Sequence, residues 1–280
     1  MSWHTLARDG LVLHGRDLGG GPAVLFQHGL TGHEAQVAEA FPADLAVRRL
    51  TLECRGHGRS PQGPTDALSL DRFARDVLAF ADQQGVARFV AGGISMGAAI
   101  ALRLAHLAPE RVQALVLVRP AWTCGAAPRN MAPFAELAGW LRQADPVQAQ
   151  RGFEATPTVA QLRQTGPDNL RSLQRLFDSP DRHATADLIE AIARDGPGLV
   201  LEDLHRLRLP TLVVGHALDA VHPLSTARML ADAIPGAQLQ CIIPKAVDLA
   251  AHLADLHAAV REFLLPLTLP TLPTTSAPST

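Results

Sequence analysis

Apolar residues recur along the chain in two rhythms. Short apolar or β-branched runs at Leu11–Asp17, Ala23–Gln27, Arg48–Cys54, Arg88–Gly92, Ala114–Val118, Thr211–Val214 and Leu239–Ile243 predict strands. The first two flank Gly19-Gly20-Gly21-Pro22, which predicts a hairpin between them. Between later runs the spacing becomes helical: Asp71–Gln84 carries apolar residues at 70, 73, 74, 77, 78 and 81, and Met96–Ala108 follows the same rule. Apolar strands alternating with helices predict an α/β fold, a mainly parallel sheet covered by helices on both faces.

From about Trp122 to Leu207 the rhythm is helical only, at Asn130–Gln143, Asn169–Phe177 and Thr185–Arg194, with Pro or Gly between the segments. A helical stretch followed by return to the sheet predicts an all-helical cap over the C-terminal edge of the strands, where ligands of open α/β sheets bind. The expected organisation is a core of residues 1–121 and 208–265, a cap of residues 122–207, and a Pro-, Thr- and Ser-rich tail, 266–280, that is disordered. No internal repeat is present.

Composition narrows the function. With 280 residues, 47% hydrophobic, 19% charged and a net charge of −2, the chain offers no electrostatic case for binding nucleic acid or an anionic membrane. Its cations are scattered arginines, with Lys245 as the single lysine. Cys54, Cys124 and Cys241 lack metal-ligand spacing and predict buried thiols in a reducing compartment. The N-terminal sequence lacks the apolar core of a secretory signal, and no apolar run reaches the roughly 20 residues a bilayer requires. The expected location is cytoplasmic.

The chemistry centres on Gly93-Ile94-Ser95-Met96-Gly97, a G-x-S-x-G sequence between a strand and a helix. A turn this tight needs minimal flanking side chains and lifts the serine above the sheet, over the N-terminus of the helix. A chain of this composition holds about 0.05 such matches by chance. Ser95 is the expected nucleophile.

With this elbow the chain resembles the α/β-hydrolase superfamily, from Leu11 to Leu264. Gln27-His28-Gly29-Leu30-Thr31-Gly32 is similar to the HG-x-x-G segment after the third strand of those enzymes, and Arg55-Gly56-His57-Gly58-Arg59-Ser60 to the G-x-G-x-S turn after the fourth. The resemblance implies an oxyanion hole made by the backbone N–H groups of Leu30 and Met96. His28 reads as a structural residue of its loop, and His57 stays ambiguous. The segment Gly215-His216-Ala217-Leu218-Asp219-Ala220-Val221-His222-Pro223 is similar to the family's G-x-x-x-D-x-x-x-P, which makes Asp219 the triad acid in the order Ser…Asp…His.

The base is less direct. The family places it just beyond the last strand, near Ala246–Asp248, where no histidine stands. His252 follows about one helical turn later, and 33 residues after Asp219. Leu249, Leu253, Leu256, Val260 and Phe263 form a buried helical stripe that His252 and His257 flank. His252 is the expected base, with His222, on the acid's own loop, and the absence of a conventional triad as alternatives. Arg119, with Pro120-Ala121-Trp122 at the start of the cap, is a candidate for pairing a substrate carboxylate, with Trp122 as a pocket wall and His222 as a further substrate-binding candidate; the competing reading gives the guanidinium an acidic neighbour or cap carbonyls.

An activated serine with an oxyanion hole predicts hydrolysis of a small-molecule ester, thioester or lactone through an acyl-enzyme. The alternatives are a weakly catalytic or non-catalytic binding protein on the same scaffold, and an acyltransferase or perhydrolase using the same serine. No cofactor or metal is implied, since HExxH, CxxC and a phosphate-binding loop are all missing.

Overall fold

Strands that are apolar almost from end to end must be covered on both sides, and this requirement organises the molecule. The computed structural model describes residues 3–268. In chain order its elements are β1 (Trp3–Arg8), β2 (Leu11–Gly19), β3 (Ala23–Gln27), α1 (Glu34–Ala40), β4 (Arg48–Leu52), α2 (Leu70–Gln83), β5 (Phe89–Ile94), α3 (Met96–Leu107) and β6 (Val112–Val118). Six helices follow: α4 (Ala132–Leu141), α5 (Pro146–Glu154), α6 (Pro157–Thr165), α7 (Pro167–Gln174), α8 (Arg182–Arg194) and α9 (Leu201–Arg206). The chain then returns through β7 (Thr211–Gly215), α10 (Leu224–Ala233), β8 (Gln238–Cys241) and α11 (Leu249–Thr268).

The eight strands form one sheet in the order β1-β2-β4-β3-β5-β6-β7-β8, antiparallel for β1/β2 and β2/β4 and parallel thereafter. The two-residue period of the strands sorts side chains between two apolar layers. Leu25, Leu115, Leu117 and Val213 join Phe73 and Phe80 of α2 and Ile100 of α3 on one face. Val24, Phe26, Val116, Val118 and Val214 join Val37 of α1 and Val260 and Phe263 of α11 on the other.

The expected hairpin between the first two predicted strands is not formed. β4 lies between β2 and β3, its Arg48 pairing with Gly19 on one side and Ala23 on the other. The Gly19–Pro22 segment instead crosses the end of β4. A Cβ on Gly19 would lie 2.3 Å from the carbonyl oxygen of Val47, and one on Gly21 2.5 Å from that of Ala46, so the glycines permit a crossing rather than a tight reversal. The true hairpin is β1/β2, closed by Asp9 (φ 50°) and Gly10 (φ 75°), a two-residue Asp-Gly turn with both residues left-handed.

Between β6 and β7 the described residues form helices without a strand. Pro begins α5, α6 and α7, and the side chains of Asp145 and Thr156 cap the first two. Inward residues of these helices, among them Leu137 of α4, Phe153 of α5, Leu173 of α7 and Ile189 of α8, continue the α2/α3 apolar layer, which seats the helices on the core.

Two further expectations change. The buried stripe of α11 is His252, Leu256, Ala259, Val260, Phe263 and Leu264, whereas Leu249 is 45% exposed. The helix is therefore rotated toward His252. This helix also runs through Pro266 to Thr268, so residues 266–268 are helical rather than disordered as expected; the rest of the expected tail lies outside the described residues. Of the three thiols only Cys54 is buried, Cys241 being exposed on the edge strand β8. Among the described residues no helix is long and apolar enough to cross a membrane.

Candidate active site

Gly92, Gly93 and Ile94 end β5, and Ser95 follows with φ 55° and ψ −108°, a left-handed φ that a side-chain-bearing residue adopts only under constraint. The constraint is close packing. A Cβ on Gly93 would meet the backbone of Gly97 at 2.6 Å, and one on Gly97 would stand 2.3 Å from the carbonyl oxygen of Gln27. The Ser95 N–H donates to the carbonyl of Val118 at 2.9 Å, tying the elbow to β6.

Beside the elbow, Gly29 approaches so closely that a Cβ there would be 3.5 Å from that of Ser95. His28 holds this loop from below: its Nδ1 bonds the Gly29 carbonyl at 2.8 Å, and its Nε2 accepts from the Cys54 N–H at 3.1 Å. His57 bonds the Arg55 carbonyl and stacks 4.7 Å from the His28 ring. Burial lowers both imidazoles, His28 to about 3 and His57 to about 4. Both are neutral internal supports, and the ambiguity over His57 resolves to packing. Leu30 borders the same cavity as Ser95, and Met96 opens α3.

The structure brings His222, not His252, to Ser95. His222 Nε2 lies 2.7 Å from Ser95 Oγ, and His222 Nδ1 lies 2.8 Å from Asp219 Oδ1. Asp219 Oδ1 also accepts the backbone N–H of His222 at 3.0 Å, so the turn folds the imidazole back over the carboxylate. The preceding Leu218 has φ 58°. His252, the base expected from the sequence, is 4% exposed within the buried stripe of α11, and its Nδ1 bonds the Ile243 carbonyl at 2.8 Å. It packs edge-on against His216, 5.2 Å between ring centres.

Arg119 follows the competing reading, an acidic neighbour, while Trp122 departs from expectation. The Arg119 guanidinium reaches Asp219 Oδ2 through Nε at 2.8 Å and a terminal nitrogen at 2.7 Å, so it is engaged by this carboxylate rather than held out for a substrate. Trp122 is 1% exposed and donates its Nε1–H to the Asp195 carbonyl at 2.9 Å; it is packed away from the cavity. His216 Nε2 stands 3.5 Å from the second Asp219 oxygen.

These contacts set the charges. Burial opposes ionisation of Asp219, but His222 and Arg119 beside it outweigh that and hold the carboxyl well below its usual range. His222 lies below its ordinary value because burial, helped by Arg119, outweighs the pull of Asp219. A neutral His222 that donates from Nδ1 leaves Nε2 free to accept the Ser95 proton.

Asn169, on the apolar side of α7, is a participant that the sequence reading passes over. Its Nδ2 donates to Asp219 Oδ1 at 2.9 Å, and its Oδ1 accepts from the N–H groups of Ala220 and Val221. An asparagine in register with Leu173 on a helix whose other inward residues are apolar is the signal that could have drawn attention to it.

Ser95 and His222 open on a cavity of about 330 Å³. Leu30, Ile94, Phe134, Leu176 and Val221 supply its apolar lining; Glu39, Arg175 and Lys245 bring charge. Among the described residues no group of three or more His, Cys, Asp or Glu is arranged to hold a metal ion.

A putative carbamate hydrolase, RutD of Stutzerimonas stutzeri, is 28% identical over 233 residues, covering 81% of this chain and 85% of that protein. A hydrolase from Pseudomonas aeruginosa superposes with a TM-score of 0.68 at 27% identity, over 94% of this chain and 98% of the other. Est816, described as an N-acyl homoserine lactone degrading enzyme, does so with 0.67 at 25% identity, over 95% and 100%. The model of the alpha/beta hydrolase fold family matches residues 22–251. The chain belongs to the alpha/beta hydrolase family.

Proposed function

We propose that this hydrolase cleaves an ester, thioester or lactone of a small molecule through an acyl-enzyme formed on Ser95, with His222 as general base and Asp219 as the acid that orients it. The observation carrying this reading is the unbroken Ser95–His222–Asp219 hydrogen-bond chain, whose Ser95 and His222 line the cavity. Ser95 Oγ attacks the acyl carbon while Nε2 of His222 takes its proton. The carbonyl oxygen becomes an oxyanion facing the N–H groups of Leu30 and Met96, the latter within the first turn of α3, where backbone donors lack helical partners. The imidazolium, held by Asp219, then protonates the leaving group, and water releases the acyl chain by the same steps in reverse order.

A carbamate is a second candidate substrate class, favoured by the name of the RutD relative, and it uses the same serine chemistry. Acyl transfer or perhydrolysis differs only in the nucleophile that resolves the acyl-enzyme. A non-catalytic binding role is disfavoured by the short Ser95–His222 contact.

A fluorophosphonate probe tests the reading directly. Folded wild-type protein is expected to be labelled at Ser95 and Ser95→Ala to stay unlabelled; a folded wild-type protein without label would end it. A panel of esters, thioesters, lactones and carbamates of varied acyl length then assigns the class.

A further inference from the structure

Acid and base share one turn, so whatever fixes that turn fixes the proton path. Three of its hydrogen bonds come from a single cap side chain. Asn169 is 6% exposed; its Nδ2 donates to Asp219 Oδ1 at 2.9 Å, and its Oδ1 accepts from Ala220 N at 2.8 Å and from Val221 N at 3.3 Å. The two N–H donors dictate which end of the amide is oxygen, and that leaves the NH₂ aimed at the acid. The junction between α6 and α7 lies directly against the turn. A Cβ on Gly166 would be 2.2 Å from Asn169 Oδ1 and 3.0 Å from Ala220 N, so this approach requires glycine.

Accepting the reading of Ser95, His222 and Asp219 given above, we infer that Asn169 is a positioning residue through which the cap sets the orientation and basicity of His222. No core side chain duplicates its bonds to the Ala220 and Val221 N–H groups among the described contacts. Without the amide, these two donors lose their acceptor, and Asp219 loses the neutral donor on the oxygen that orients the imidazole. The turn would then relax, and a shift of about 1 Å at a reacting group costs on the order of 100-fold in rate.

Two substitutions separate positioning from packing. Asn169→Leu keeps the bulk and removes all three bonds. Asn169→Asp keeps an acceptor for the two N–H groups but sets a second carboxylate against Asp219, which raises the pKa of His222. His222 is faced by Asp219 on its own turn, by Arg119 from the end of β6 and by His216 from the end of β7, while Glu39, Arg175 and Lys245 border the same cavity. All of these stay constant in the comparison.

The experiment measures pH profiles of kcat/KM, separate kcat and KM, and the NMR titration of His222 in folded wild-type, Asn169→Leu, Asn169→Asp and Gly166→Ala proteins. Asn169→Leu is expected to lower kcat about 10- to 100-fold with KM within about threefold. Asn169→Asp is expected to move the acid limb and the His222 titration upward by about one unit. Gly166→Ala is expected to reproduce the kcat loss in part. Wild-type kcat in Asn169→Leu, with an unmoved His222 titration in Asn169→Asp, overturns the inference; if Asn169→Asp does not fold, the Leu variant decides by kcat and by its own His222 titration. A wild-type protein that fails to react with a fluorophosphonate overturns the reading of Ser95 instead, and this inference with it.

Discussion

Asp219 and His222, three residues apart, meet twice: one carboxylate oxygen accepts both the backbone N–H and the ring Nδ1–H of His222. A segment this short orients an imidazole because the turn curls back on itself, with Leu218 left-handed just before it. The opposite edge of the ring, Nε2, meets Ser95 Oγ.

The first prediction separates the two histidines. Ser95→Ala and His222→Ala should each lower kcat/KM on the order of 10⁵-fold or more, as when any member of a serine triad that acts as a unit is removed. His252→Ala should leave kcat/KM within about threefold, while costing about 1–3 kcal/mol in stability through its lost carbonyl bond and packing. Steady-state kinetics beside urea unfolding checks both.

Arg119 should reveal itself in the pH profile. Because His222 lies below its ordinary value, the acid limb of kcat/KM should have its midpoint below the usual 6.5. The guanidinium disfavours the imidazolium, so Arg119→Gln should raise that midpoint. A limb that moves downward, or not at all, contradicts the assigned geometry.

Acid should weaken the fold through the two internal histidines. His28 and His57 lie near 3 and 4 in the folded protein and near 6.5 when unfolded, so the unfolded chain takes up protons first. Their contribution is complete above 6.5 and declines as pH falls toward 4 and 3, by on the order of 2 kcal/mol for each ring at pH 5. Chemical denaturation at pH 7.5 and 5, compared with a His57→Gln variant, measures the share of one ring.

Substrate charge should matter at the rim. Arg175 and Lys245 line the cavity, and neither has an acidic partner among the described residues; Glu39 is the opposing charge. Esters with a carboxylate on the acyl chain should be favoured over neutral ones of equal length, and Lys245→Met should reduce that preference about threefold to tenfold. An unchanged ratio in both Lys245→Met and Arg175→Met would exclude the effect.

What the sequence discloses follows the range of each interaction. The elbow around Ser95 is local: glycines at 93 and 97 are demanded by contacts of 2.6 and 2.3 Å, so the turn is written where it is used. The buried central strands are equally local. The pairing of β2 is not, because a glycine run serves for crossing a strand end as well as for turning beside it. His252 misleads because its spacing from Asp219 fits, while the rotation of α11 depends on what it packs against. Leu249 enters the apolar periodicity and yet stays exposed. Asn169 eludes a linear reading since its partners lie 50 to 52 residues further on.

With His222 as the proposed base, the loop between β8 and α11 holds no proposed catalytic group. On the assignment proposed above, the proton carrier and its counter-charge both lie on residues 219–222, beside β7 and α7, and residues 244–248 take no part in the relay. Substitutions there, at Lys245 above all, are expected to change what the cavity admits more than the proposed proton relay. That stretch is the natural place for selection, or an engineer, to alter preference while leaving turnover intact.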